Sequence, residues 1–354
     1  MNSALSSPVA FQQSRAHFIP KMRWFRFSPE ALEVIETESV TDDCSDIDKT
    51  NDAELIEPLL PVSHRAIAYG DGFFSTMKVQ AGKVYWQKYH QHRIHTHATA
   101  LQLYLPKSQQ LLLWQHISYY ARIIDIGMIK VIVTRQAQNI RGYGFSIHDT
   151  DNGCDIYIGV WATEPPPKIT NLLASQLPYS LISQILAEVP IQPAITAMTL
   201  QSRISCIPPT LAGLKTLNRL DNVLASAELK QQQARMPAHL SNPLAEGLVQ
   251  DMFGYWVEGT MSNVFYQLDT DATDAQWFTP PIDRSGVNGV MRQVLMDSFD
   301  KTTYPIIERH LEDKDITRLT GLFFCNAVRG IMPVAELIVD DNKITFAYAS
   351  VLYN

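Results

Sequence analysis

Apolar and basic positions alternate over residues 22–27, MRWFRF, and this period of two predicts a first strand. Strand character returns over residues 73–79, and Ala81-Gly82 supplies a turn before a short partner at 84–86. The period then changes. Ile94, Ala98, Leu101 and Tyr104 recur at helical spacing, and a second helix is expected over residues 110–124. Strands follow at 129–134 and 155–161. Pro165-Pro166-Pro167 breaks any regular element and marks a linker over 165–170. Beyond it, Leu220, Val223, Leu224, Ala227 and Leu229 suit one face of a helix starting just after Lys215. Strands are expected at 247–249, 254–257 and 264–268. Ser285-Gly286-Val287-Asn288-Gly289 opens another helix, whose apolar face is Val290, Met291, Val294, Leu295 and Phe299. Short strands near 322–325 and 344–347 complete the pattern. It predicts two α+β units without regular βαβ alternation: residues 22–164, and 171–354 after the linker.

Composition narrows the classes. The chain has 354 residues, 46% of them hydrophobic, enough for sizeable cores. Its formal charge of −7 is unevenly placed. Residues 33–57 hold ten acids and one base, Lys49, so the remainder is slightly basic. That acidic insertion reads as a solvated loop, and residues 1–21 as a flexible tail. No basic stripe suggests nucleic acid. No apolar run reaches the ~18 residues of a membrane span. Cys44, Cys154, Cys206 and Cys325 form no C-x-x-C pair, and the N-terminus lacks a signal-peptide pattern. A cytoplasmic location with reduced thiols is expected.

The candidate chemistry centres on Lys215 and Glu258. Lys215 stands among Leu211, Leu214 and Leu217, an apolar context that favours a depressed amine pKa. Some forty positions later, Glu258 falls between a strand and a Gly-Thr turn. An amine able to form a Schiff base and an acid able to keep a pyridine nitrogen protonated point to pyridoxal phosphate. The start of the helix at Val287 and Asn288 offers N–H donors for a phosphate, and Arg93 a guanidinium. His90, His92, His95 and His97 crowd one helix, but no two stand at i,i+4, and no metal site is expected. Gly70-Asp71-Gly72 precedes a strand, so it is no dinucleotide loop.

Six blocks in order resemble the fold-type IV pyridoxal-phosphate enzymes, a family of branched-chain and D-amino-acid aminotransferases and 4-amino-4-deoxychorismate lyases. They are AYGDGFF from Ala68, HQHR from His90, LAGLKTLNRLDNVLASAEL from Leu211, VEGTMSNVF from Val257, SGVNGVMRQ from Ser285 and CNAVRGIMPV from Cys325. The resemblance implies two domains, a smaller N-terminal α/β sandwich and a larger C-terminal pseudo-barrel that binds the cofactor. It implies Lys215 as Schiff-base lysine and Glu258 as partner of the pyridine nitrogen. It assigns phosphate contacts to Arg93, Val287, Asn288, Asn326 and Ala327, where Ala327 has only its backbone N–H to offer. It also implies a homodimer, with the cofactor between the domains.

Within the family, the lyase versions of these motifs are the nearest likeness. Leu220 occupies the place where branched-chain aminotransferases usually carry tyrosine. The expected reaction is conversion of 4-amino-4-deoxychorismate to 4-aminobenzoate and pyruvate, a step toward folate. Arg141, then Arg329, are the candidates for holding the anionic substrate, with Tyr69 and Thr76 positioning it. A D-amino-acid or branched-chain-type aminotransferase is the alternative on the same fold. A catalytically inactive cofactor-binding protein is the alternative of another class.

Overall fold

The structure is a computed structural model that describes residues 23–27, 60–148, 152–163, 189–236, 242–269, 276–300, 305–340 and 342–346. The tail, the acidic insertion 33–57 and the expected linker 165–170 lie outside the described residues.

The N-terminal unit is a five-stranded antiparallel sheet in the order β1-β5-β4-β2-β3. Its strands are β1 (Arg23–Arg26), β2 (Gly72–Gln80), β3 (Lys83–Val84), β4 (Gly127–Arg135) and β5 (Cys154–Ala162). Strict alternation in β2 sends Phe73, Ser75, Met77 and Val79 to a buried face and leaves Phe74, Thr76 and Lys78 half-buried on the other. The buried face packs on helices α2 (Gln87–Ala100) and α3 (Lys107–Ile124), with Ile94, Leu113, Ile117, Ile129, Val131 and Val133 at the centre. Each such aliphatic side chain contributes about 1.5–3 kcal/mol by burial. A five-residue helix, α1 (Arg65–Tyr69), precedes β2 and ends at Gly70 with φ +62°.

The C-terminal unit is a closed barrel. β6 (Ile195–Ile204), β7 (Leu244–Asp251), β8 (Trp256–Gly259), β9 (Asn263–Leu268), β12 (Leu319–Asn326) and β13 (Gly330–Val339) run in the ring order β9-β12-β13-β6-β7-β8. Pairing of Glu258 with Asn263 closes it. All six strands send apolar residues to one shared core, among them Ala197, Leu248, Trp256, Val264, Leu322 and Val334. β10 (Phe278–Thr279) and β11 (Ile307–Glu308) extend the sheet beyond β9, and β14 (Asn342–Thr345) pairs with β13.

Two longer helices pack outside the barrel. α5 (Val290–Phe299) buries the apolar face expected of it against Phe265, Phe323 and Ile331. α4 (Leu220–Arg235) lies on Leu200, Val249 and Val257. A single-turn helix, α6 (Asp313–Ile316), precedes β12. No helix among the described residues is long and apolar enough to cross a membrane.

The observed α4 differs from expectation in two ways. It begins at Leu220, five residues after Lys215, and it buries Ala225 and Leu229 while exposing Leu220, Val223, Leu224 and Ala227. The late start has a local cause. The carbonyls of Leu214 and Thr216 accept from the Arg219 guanidinium, and that of Lys215 accepts from the Phe74 N–H. Those acceptors are taken, so the helical ladder starts only after them.

Candidate active site

Lys215 sits where the two units meet, in a segment fixed from both sides. Phe74 N–H donates to its carbonyl at 3.0 Å, and its own N–H donates to His97 Nε2 at 2.9 Å. Leu217 N–H donates to Gly72 O at 3.0 Å, and Thr216 bridges Phe73. The lysine main chain is therefore held by β2 and α2, and its side chain lies over Phe74, with Nζ 4.7 Å from the ring centroid. Burial, then the Arg93 guanidinium, pushes its amine down from 10.5 to about 8, against the upward pull of Glu258.

Glu258 is 4% exposed in β8. Its carboxylate accepts from Val287 N–H at 2.9 Å and from the Asn222 amide at 3.3 Å. Burial raises its pKa, while these donors and the nearby Arg219 charge oppose that rise. The turn beside it is anchored by a second buried acid, Glu246, which accepts from Thr260 N–H at 2.8 Å and from the Thr260 and Ser262 hydroxyls at 2.5 Å each. Gly286, at φ +80°, presses close. A Cβ there would stand 3.1 Å from Glu258 Oε2 and 2.9 Å from Val257 Cγ1, so a side chain would displace the carboxylate.

Arg93 is 4% exposed and donates through Nη2 to Asn288 O at 2.8 Å. Its Nε has no hydrogen-bond partner, and no carboxylate pairs with it among the described residues. Burial, then the Arg219 charge, lowers its pKa to about 10. A buried guanidinium with an unused donor calls for an anion. Val287 N–H is engaged by Glu258, Asn288 N–H by Gly213 O at 2.9 Å, and Gly289 N–H by Asn263 Oδ1 at 3.1 Å. Asn326 ends β12, where its Oδ1 accepts from the N–H groups of Val328 and Arg329. Ala327 packs half-buried against the α5 core.

A cavity of about 1040 Å³ opens beside Glu258, and neither Lys215 nor Arg93 is part of its lining. Glu258, Gly286, Thr216, Arg219, Leu220 and Tyr69 are among its lining residues. Tyr69 is held by a ring contact to Tyr143 at 5.1 Å and by the Arg65 guanidinium over its face. Thr76 lies in β2 directly opposite Lys130 of β4. Arg141 and Arg329 are both exposed, and neither lines the cavity. The lining cations are Arg65, Arg135 and Arg219. The first two grip Asp71 at 2.7 and 2.9 Å, and Arg65 also donates to the carbonyls of Tyr143 and Gly144, which holds the 141–144 loop at the rim. Lys130 shares the Phe74 ring with Lys215, with Nζ also 4.7 Å from the centroid. It has no carboxylate partner among the described residues, and burial lowers its pKa.

The sequence motifs do not mark Arg219, Asn222 or Lys130 as site residues, and His97 stands out only as one of four crowded histidines. Arg219 and Asn222 lie inside the lysine motif, four and seven positions after Lys215. Lys130 and His97 carried no local signal, because only strand pairing and helix packing bring them to the lysine.

The sequence pattern of the family Amino-transferase class IV matches residues 72–337. The chain belongs to that family. Over 289 residues it is 27% identical to an aminodeoxychorismate lyase of Vibrio harveyi, covering 81% of this chain and 90% of the relative. A putative branched-chain-amino-acid aminotransferase of Methanocaldococcus jannaschii is 23% identical, covering 78% and 82%. Among solved structures, a 4-amino-4-deoxychorismate lyase of Pseudomonas aeruginosa superposes with a TM-score of 0.61 at 26% identity, covering 83% of this chain and 92% of that one. The two-domain fold-type IV architecture expected from the motifs is the fold observed.

The cofactor of this class IV enzyme is pyridoxal 5'-phosphate. The residues present fit it. Arg93 supplies a buried, anion-seeking guanidinium, Glu258 a buried carboxylate, and Lys215 an amine whose pKa is lowered toward neutrality.

Proposed function

We propose that this class IV enzyme is an aminodeoxychorismate lyase, releasing 4-aminobenzoate and pyruvate from 4-amino-4-deoxychorismate on the route to folate. The observation that carries this reading is the match to the Vibrio harveyi lyase over nine-tenths of that protein. Leu220 lining the cavity, at the place where the branched-chain branch carries tyrosine, favours it over that branch alone.

When bound, the cofactor supplies an aldehyde that accepts amines and a ring that accepts electron density. The protein's part is to hold, orient and move protons. Arg93 binds the phosphate, with Val287, Asn288, Asn326 and Ala327 around it, and Glu258 keeps the ring nitrogen protonated. Lys215, with a lowered amine pKa, takes the proton from the substrate carbon bearing nitrogen. The C–O bond at the neighbouring carbon then breaks, its electron pair leaves with the enolpyruvyl oxygen, and a proton on that fragment completes pyruvate. The ring left behind is aromatic, so the elimination runs downhill.

The substrate carries two carboxylates, and the site must meet them with cations. Arg219 in the cavity wall is the first cation proposed for this, and Lys130, outside the cavity lining but sharing the Phe74 ring with Lys215, is the second; Arg141 and Arg329 are brought in only by movement of their exposed side chains. Tyr69 lines the same space, whereas Thr76, opposite Lys130 in the sheet, is not part of the cavity lining.

Product analysis with enzymatically generated 4-amino-4-deoxychorismate tests the reading. Stoichiometric 4-aminobenzoate and pyruvate are expected, and Lys130→Met raises KM by about tenfold or more, the scale of one charged hydrogen bond. Rapid pyruvate formation from D-alanine and 2-oxoglutarate, without 4-aminobenzoate, would sink the lyase assignment in favour of an aminotransferase.

We further propose a homodimer in the cytoplasm. The exposed Leu220, Val223 and Leu224 on α4, at the cavity edge, form an apolar face suited to a second copy. Sedimentation at the mass of a single chain would refute the dimer.

A further inference from the structure

Of the four histidines crowded on α2, two face outward and two inward. His92 and His95 are exposed, whereas His90 and His97, two turns apart, are buried. His90 Nδ1 meets the Ser75 hydroxyl at 2.8 Å. His97 Nε2 meets the backbone N–H of Lys215 at 2.9 Å, across 118 positions of sequence. Its ring stands edge-on to Phe73, with centroids 5.3 Å apart.

We propose that His97 is a positioning residue: its imidazole fixes the main chain of Lys215 and ties it to the helix that carries Arg93. The inference rests on Lys215 being the lysine that holds the cofactor.

The geometry defines what His97 must be. To accept at Nε2 it must carry its proton on Nδ1, whose neighbour is Thr96 Oγ1 at 3.5 Å. A doubly protonated ring has no lone pair to offer and would face the Lys215 N–H as a donor. Burial first, then the charges of Arg93, Arg219 and Lys215, with His92 beyond, hold its pKa down at about 3, so the acceptor form persists across the physiological range. Phe73, packed on the ring from β2, is uncharged, and Thr96 is the neighbouring polar group on α2.

The bond also links two parts of the cofactor site. Arg93 lies one turn before His97 on α2 and donates to Asn288 O at 2.8 Å. One rigid helix thus spaces the phosphate-side guanidinium from the lysine. The Lys215 carbonyl is held separately by Phe74 N–H. Without the imidazole, the Lys215 N–H loses its acceptor while the Leu214 carbonyl stays on Arg219 and the Lys215 carbonyl on Phe74, so the peptide can tilt between those anchors, which moves Nζ off Phe74.

The test uses full-length protein loaded with pyridoxal phosphate, comparing His97→Leu with His97→Gln. Glutamine places an amide oxygen near the position of Nε2, and leucine places no acceptor. The leucine variant is expected to lose about 10- to 100-fold in kcat with KM nearly unchanged, the scale of a misplacement near 1 Å. The pH midpoint of its visible absorption band is expected to move by about one unit, reflecting an altered lysine environment. Glutamine restores most of both. If leucine does not fold, His97→Asn, whose amide is too short to reach, takes its place. Two outcomes overturn the proposal: a leucine or asparagine variant with wild-type kcat and band midpoint, or kcat losses that only follow the fall in melting temperature and are equal for glutamine. Borohydride trapping of the wild type tests the underlying reading on its own. Cofactor found on another lysine would remove the role of Lys215, and this inference with it.

Discussion

Lys215→Ala is expected to abolish the visible absorption band of the cofactor-loaded protein and to lower turnover by about 10,000-fold, the upper end for a positioned general base that also anchors its cofactor. No described residue is placed to substitute. Lys130 shares the Phe74 ring, but its main chain is locked in β4 opposite Thr76. In cofactor-free protein, trace acetylation should show Lys215 half-reactive near pH 8, well below the ordinary 10.5. Stability should follow the same shift. Between about 8 and 10.5 the unfolded chain binds more protons at this site than the folded chain, so the Lys215 contribution improves as pH rises through that window. The difference in melting temperature between wild type and Lys215→Ala should therefore change with pH there. A band retained in the alanine variant, or a Lys215 that titrates at its ordinary value, would count against the site as described.

The second large effect is expected at Arg93. Arg93→Leu should weaken pyridoxal phosphate binding by about 100-fold or more, on the scale of about 2–5 kcal/mol for removing one partner of a buried charged pair. Cofactor-free protein should behave differently. There the wild-type guanidinium is buried with an unused Nε and no carboxylate partner among the described residues. Leucine relieves that desolvation, so the melting temperature without cofactor should hold or rise while the stabilisation by added cofactor shrinks. Calorimetric titration and thermal melts at several cofactor concentrations measure both arms. Equal cofactor affinity in the two proteins would remove Arg93 from the phosphate site.

The elements with a strong local period were legible before folding was considered. β2, β4 and the face of α5 fall where alternation and helical spacing put them, and β5 falls where a strand is expected although six of its residues in a row are buried. β6 and β13 were not legible. The first six residues of β6 are all buried between two parallel partners, so it shows no alternation. β13 contains Pro333, which reads as a strand breaker, yet it pairs opposite Phe323 in the barrel wall. α4 misled in another way. Leu220, Val223 and Leu224 look like a core face by spacing, but the barrel takes Ala225 and Leu229 instead.

The chemistry divides along the same line. By its own order of residues, the sequence determined the family, the cofactor, and Lys215, Glu258 and Arg93 as candidates, because each sits in a short motif whose spacing survives unfolding. Only the tertiary structure decided which side chains surround them. Arg141 and Arg329 looked like substrate cations but stand exposed, while Arg219 lines the cavity and Lys130 reaches Phe74 from a neighbouring strand. His97 gained its partner only when α2 packed against the lysine segment. Such contacts join residues far apart in the chain through sheet register and helix packing. No local periodicity encodes them, because the energy that sets them is the burial of two whole faces against each other.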